Sequence, residues 1–300
     1  MKVSSAARLA PLFKSGAIYA ILAYSSWGLL PIYWKLFGQI SPVEVLSHRV
    51  LWSMLFLLVV LAVQHNLDEL EKLRRSPKIV GTLLVTATIL TLNWGLYIYG
   101  VNTDRVVETS LGYYINPLVN VLLGCAFLQE RLNRPQIIAV AIATVGVLNF
   151  IWHVGTVPWI ALALACSFGG YGLLRKAATV SPLVGLTVET LLMTPVALVL
   201  LNSKAAIGTS HWGDSLPLTL LFIGCGIVTS LPLLWFNIAA KKLRLSTLGF
   251  FQYLAPSLQL VLAVFAYREP FTLNHAITFG CVWSAIALYS VSSFRAKPLT

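Results

Sequence analysis

The sequence predicts an all-α polytopic membrane protein: ten transmembrane helices arranged as two inverted five-helix repeats. Three observations carry that prediction: an apolar composition spread over the whole chain, ten apolar segments of spanning length, and a set of motifs that occurs twice. Of 300 residues, 58% are hydrophobic and 10% charged, against about 25% charged in a soluble domain. Most of the surface is therefore solvated by something other than water. Lys2, Arg8 and Lys14 could open a signal peptide. The apolar run from Gly16 to Trp34 is too long for one and ends in no small-residue cleavage site, so it reads as the first span.

A span needs about 20 mostly apolar residues, and in lipid such a segment must be helical to satisfy its own backbone. The segments are 16–35, 42–64, 79–100, 106–128, 135–151, 157–174, 182–202, 216–238, 246–267 and 272–293. The second and seventh open on Ser41-Pro42 and Ser181-Pro182, where serine suits the N-cap and proline the first helical position. The fourth and ninth carry Pro117 and Pro256, each of which removes a helix hydrogen bond and frees a carbonyl. The two longest connections, 65–78 and 203–215, are polar loops with no room for a soluble domain. Of the 21 Lys and Arg, all but Arg49, Lys35, Arg105, Lys204 and Arg268 fall on one side of the membrane. That asymmetry predicts both termini in the cytoplasm.

The motifs repeat in order. Ser26-Trp27-Gly28-Leu29-Leu30 matches Gly170-Tyr171-Gly172-Leu173-Leu174; Ser41-Pro42 with Arg49 matches Ser181-Pro182 with Glu189; Leu111-Gly112 matches Leu248-Gly249. Pro117 precedes Glu130, and Pro256 precedes Glu269, by the same interval. An odd number of spans per half turns the second half over, giving an inverted repeat. The expected halves are 16–151 and 157–293, with tails at 1–15 and 294–300.

Several chemistries are set aside. No G-x-x-x-x-G-K-[ST] loop is present for ATP, and the histidines are scattered with no H-E-x-x-H or Cys/His grouping for a metal. Cys125, Cys166, Cys225 and Cys281 lie in apolar segments without a CxxC pair and read as small core residues. The formal charge of +11 belongs to cytoplasmic loops and not to nucleic-acid binding. No cofactor, metal or catalytic group is expected, and oligomeric state is left open.

The segments AYSSWGLLPIYWK (23–35), His48 to Ser53, Asn93 to Tyr97, LGYYINPLVN (111–120) and STLGFFQYLAP (246–256) resemble the drug/metabolite transporter superfamily. Within it they resemble the EamA-type permeases, which have ten spans in two five-helix repeats. More narrowly they are similar to the RarD group, known as chloramphenicol-sensitive proteins. The resemblance covers about residues 16–293. It implies a multi-pass carrier of the bacterial inner membrane, of the exporter type, and supplies no substrate.

Arg49 lies roughly 10 Å inside its span. A central arginine costs about 2.5–3.5 kcal/mol to insert, so it calls for a partner or a polar cavity. Glu189 is its counterpart in the second half and a candidate proton-coupling site, since intramembrane carboxyls mark proton relays. With the halves inverted, the two charges lean apart. They read as two approaches to one midplane site, with a direct ion pair as the alternative. Tyr113, Asn116 and Asn120 share one helix face beside Pro117; Gln252 and Gln259 share another beside Pro256. Both read as cavity walls, extended by Asn93 and Trp94, though buried amides also serve to bind neighbouring helices together. Glu130 and Glu269 read as boundary or capping residues, His48 as a packed imidazole, and Asn237 as interfacial.

The expected function is a secondary transporter. It would move a small organic metabolite or drug by alternating access, with protons as a candidate coupling ion. A flippase for a lipid-linked intermediate and a channel-like pore are the alternatives.

Overall fold

The computed structural model describes residues 5–74, 76–103, 105–154, 159–266, 268 and 273–295. Glu269 and the extreme termini lie outside them. Every regular element among the described residues is helical: α1 (Ser5–Lys35), α2 (Pro42–Val63), α3 (Leu67–Arg74), α4 (Pro77–Asn102), α5 (Val106–Phe127), α6 (Arg134–Val154), α7 (Trp159–Ala177), α8 (Pro182–Ala206), α9 (Leu216–Lys242), α10 (Leu245–Gln252), α11 (Leu254–Val261), a π-helical turn (Leu262–Ala266) and α12 (Leu273–Arg295). Seven helical stretches are long and apolar enough to cross a membrane: those in α1, α2, α4, α6, α8 and α9, and the run Leu245–Ala266. Leu111–Phe127 and Ala276–Ser292 are shorter apolar helices. Leu92, Leu122, Val199 and Leu220 are exposed on the outside of the bundle, as a lipid-facing surface requires.

Three local expectations are corrected. Ser41 and Ser181 do occupy N-cap positions with proline just inside, but neither side chain caps its helix. The backbone carbonyl of Ser41 accepts from Glu44 N–H at 3.0 Å, while the Ser181 hydroxyl donates to Glu69 at 3.1 Å. The expected loop 65–78 contains α3, whose leucines explain the change: Leu70 and Leu73 pack on Leu61, Leu83 and Val184, leaving its acidic face outside. Pro117 does not break α5, which is continuous through it. Pro256 does end one helix and begin another, with Tyr253 as the joint between α10 and α11. The difference lies in what each proline meets, because α10 presses on α5 at this level. A Cβ on Gly249 would stand 2.8 Å from the Pro117 carbonyl oxygen, so the α5 backbone is buttressed at its weak point.

Short connections alternate between two ends of the bundle. At one end, here the Lys35 end, α1, α4 and α8 finish and α2, α5 and α9 begin. The opposite, Lys242 end holds the turns before α8 and α10. One core joins α5, α6, α7, α10 and α12 around Leu111, Phe250, Tyr253 and Tyr289. A second joins α1, α7, α9 and α10 around Tyr24, Tyr171, Phe236 and Leu245.

Glu130 shows how the ends are tied. Its carboxylate accepts from Leu245 N–H (2.6 Å), Ser246 N–H (3.0 Å) and the Ser246 hydroxyl (2.6 Å), satisfying the first orphan donors of α10 and its positive end. Glu130→Ala is expected to cost about 1–3 kcal/mol, read as a lower melting temperature of the purified protein. Glu130→Gln should cost less, because one acceptor oxygen is kept.

Candidate functional site

The residues singled out in the sequence fall into three groups. The first surrounds Arg49 on α2. Its Nε donates to Thr229 Oγ1 on α9 at 3.0 Å, and its guanidinium carbon sits 4.6 Å from the Trp34 ring centre and 5.3 Å from that of Trp94. Tyr97 and Tyr113, both partly exposed, lie near Arg49. Among the described residues no carboxylate faces it. Two cation–π contacts offset about 0.5–2 kcal/mol each, comparable with the insertion cost of an intramembrane arginine. Arg49 is thus held by aromatic rings in place of an acid.

The second group surrounds Glu189 on α8, which is 2% exposed. Thr86 on α4 donates to it at 2.5 Å and the Tyr171 hydroxyl at 3.2 Å. Its ionic partner is Arg175, with Nε 3.6 Å from Oε1. Arg49 and Glu189 therefore do not pair. The distribution of Lys and Arg places Arg175 among the cytoplasmic loop cations, and the structure corrects this: it is 1% exposed. It donates to Asn237 Oδ1 (3.2 Å) and to the Pro182 carbonyl (3.1 Å). The space for it exists because residue 185 is glycine, whose missing side chain the guanidinium occupies. Asn237, expected at the interface, is buried against Arg175 and Tyr171, and its amide also donates to the Tyr171 hydroxyl at 3.1 Å. Neighbouring Lys176 and Lys241 bind helix-end carbonyls, Lys176 that of Ala240 at 2.9 Å and Lys241 that of Lys176 at 3.2 Å. They stitch α7 to α9 at the Lys242 end, where cations complement the helix dipoles.

The third group is an amide chain. Asn116 donates to the Ala165 carbonyl (2.7 Å), and Asn120 donates to Asn116 Oδ1 (3.0 Å) and to Gln252 Oε1 (3.2 Å). All three are buried, so in this conformation they tie α5, α7 and α10 together instead of lining open space. Asn93 joins α4 to α7 through the Leu164 carbonyl (3.0 Å) and Ser167 (2.8 Å). Gln259 reaches the Trp27 carbonyl at 3.3 Å, near where Gly28 lets α11 approach α1.

Between the two charged groups lies a small cavity at the crossing of α2, α4, α8 and α9, with Ser53, Trp94, Glu189, Thr190 and Thr229 on its wall. Its volume of about 20 Å³ holds about one water, so this state is closed at its centre. A larger groove of about 430 Å³ beside Phe250, Trp283 and Tyr289 has no charged lining residue.

One feature, the burial of Glu44, had no signal in the sequence. Glu44, 0% exposed, accepts from the backbone N–H of His211 at 2.7 Å and lies 2.9 Å from its Nδ1, pinning the α8–α9 connection to the start of α2. His48, read from the sequence as a packed imidazole, packs between Trp212 (5.2 Å between ring centres) and Phe222 (4.1 Å), and neither ring nitrogen has a hydrogen-bond partner among the described residues.

Comparison with known proteins decides the family. The model of the EamA-like transporter family matches twice, at residues 14–152 and 156–291. The chain belongs to the EamA-like transporter family. Among its members the chain is 46% identical over 284 residues to an "Uncharacterized transporter" of Vibrio cholerae, with 94% of each covered. It is 44% identical over 288 residues to "Protein RarD" of Escherichia coli K12, covering 96% and 97%. It is 40% identical to "Uncharacterized transporter YojE" of Bacillus subtilis, covering 95% and 96%. These relatives place it in the RarD group of EamA-type permeases. A crystal structure only 16% identical superposes with a TM-score of 0.69 over 94% of this chain and 99% of that one, a likeness that speaks for the fold alone. The EamA assignment makes the chain a multi-pass membrane permease for a small molecule.

Proposed function

We propose that this EamA permease is a secondary transporter of the bacterial inner membrane, exporting a small organic metabolite or drug by alternating access. Its two five-helix halves, 16–151 and 157–293, rock about the crossing of α2, α4, α8 and α9. In this reading the ten apolar segments are the ten spans, and the distribution of Lys and Arg puts both termini in the cytoplasm.

The observation that carries the reading is a pair of exchanged hydrogen bonds. Arg49 on α2 bonds Thr229 on α9, and Glu189 on α8 bonds Thr86 on α4. With the short α3 left out of the count, shifting the spans by five exchanges α2 with α8 and α4 with α9, so each half sends one charge to a threonine of the other. Packing repeats the exchange: α1 lies on α9 as α7 lies on α4, and α2 on α9 as α8 on α4. An inverted repeat built around a central site has this form. Because the two contacts are interchangeable by the pseudo-symmetry, one can loosen while the other tightens, which is what rocking requires.

Glu189 is the coupling site in this reading. A proton on its carboxyl would cancel the charge facing Arg175 and release the tie between α7 and α8. In liposomes with an imposed pH gradient, Glu189→Gln is expected to abolish gradient-driven flux while leaving downhill exchange. Unchanged gradient-driven flux in that variant would remove proton coupling at this residue from the account.

A further inference from the structure

The two charges that match in the sequence are not equivalent in the structure. Glu189 already has a cation, two hydroxyl donors and complete burial. Arg49 has none of these: it is half-buried and opposed by no carboxylate among the described residues. Its Nε is committed to Thr229, which fixes the plane of the guanidinium. Two indoles, Trp34 and Trp94, lie against it. The terminal nitrogens, Nη1 and Nη2, make no hydrogen bond among the described residues, where Nε to Thr229 is the one that Arg49 makes.

Resting on the permease reading above, we infer that Arg49 is the substrate's charge-recognition residue and that the substrate is an organic monoanion bearing a planar carboxylate on an apolar or aromatic body. The geometry narrows the ligand in three ways. The guanidinium presents a two-nitrogen edge, which pairs with the two oxygens of a carboxylate in parallel hydrogen bonds. The indoles of Trp34 and Trp94 and the rings of Tyr97 and Tyr113 offer flat apolar walls with hydroxyls at their tips, suited to the body attached to that carboxylate. The Arg49 charge, which no carboxylate opposes among the described residues, is neutralised in a low-dielectric setting by one negative charge; a dianion would leave an excess and a cation would be repelled. A neutral solute would bring Arg49 no counter-charge beyond what the described residues supply.

The test uses purified protein in liposomes and counterflow of a matched set of radiolabelled solutes: phenylacetate, cyclohexylacetate, phenylacetamide and phenethylamine, with inorganic phosphate as an unlabelled competitor. The two carboxylates are expected to exchange about tenfold faster than the amide and the amine, with phosphate a poor competitor. Arg49→Gln should lose the carboxylate preference by about tenfold. Arg49→Lys, which keeps charge and bulk but not the two-nitrogen edge, should fall between; it serves if Arg49→Gln does not fold. Preference for the amide or amine, full competition by phosphate, or wild-type carboxylate exchange in Arg49→Lys and Arg49→Gln each overturns the inference. A parallel arm loads the same liposomes with a whole-cell metabolite extract. Protein that exchanges solutes from the extract but neither carboxylate overturns the anion assignment and leaves the permease reading standing. Protein that exchanges nothing in either arm overturns both.

Discussion

Arg175→Met is expected to destabilise the protein by about 3–5 kcal/mol, the usual consequence of removing one partner from a buried ion pair. Glu189 would keep the Thr86 and Tyr171 hydroxyls but lose the only cation within reach among the described residues, and Asn237 would lose its guanidinium donor. Methionine fills a similar volume without the charge, so the loss reports electrostatics more than a void. The measurement is thermal unfolding of the single and double variants. Adding Glu189→Gln to Arg175→Met should recover most of the loss, because the buried charge is then gone, and the non-additivity measures the coupling. A single-variant cost below about 1 kcal/mol would show that Glu189 is not held by Arg175.

Gly249→Val is expected to prevent α10 from seating on α5. The new Cβ would lie 2.8 Å from the Pro117 carbonyl oxygen and 3.0 Å from Asn120 Cβ. The nearest obstacle is backbone, which cannot rotate away, so the helices must separate. Overpacking of this kind costs about 1–3 kcal/mol or more, and separation also breaks the Asn120–Gln252 bond of 3.2 Å. Recovery of folded protein by size-exclusion chromatography measures it. Gly280→Ala is the control, since a Cβ there would meet nothing within 4 Å, and it should behave as wild type. Equal recovery of both variants would mean that α5 and α10 do not cross at Gly249.

The legible part of this molecule is the part written in local pattern. Every one of the ten expected segments contains helix, and the register from Ser41-Pro42 to Arg49 and from Ser181-Pro182 to Glu189 put both charges inside their helices. What they bind was not legible. Thr86 and Thr229 look like any threonine in an apolar run, and only the crossing of α4 with α8 and of α2 with α9 gives them a role. Arg175 sits next to Lys176 at a helix end, a pattern shared by solvated cations. Its burial depends on the gap left by Gly185, a tertiary fact. Pro117 and Pro256 have the same local chemistry, and only the helix packed on α5 decides that the first leaves its helix unbroken.

Charge also separates from position in the two matched sites. Motif matching treats Arg49 and Glu189 as counterparts, and by location they are. Their surroundings differ because the second half places a cation beside its charge, whereas the first half places indoles beside its own.

The most direct measurement is trans-stimulated exchange by the purified protein in liposomes. The account requires saturable uptake of a labelled solute that speeds up when unlabelled solute is present inside, with that stimulation lost in Arg49→Gln. Ohmic current without saturation or trans-stimulation would contradict it, and would make the chain a pore instead of a carrier.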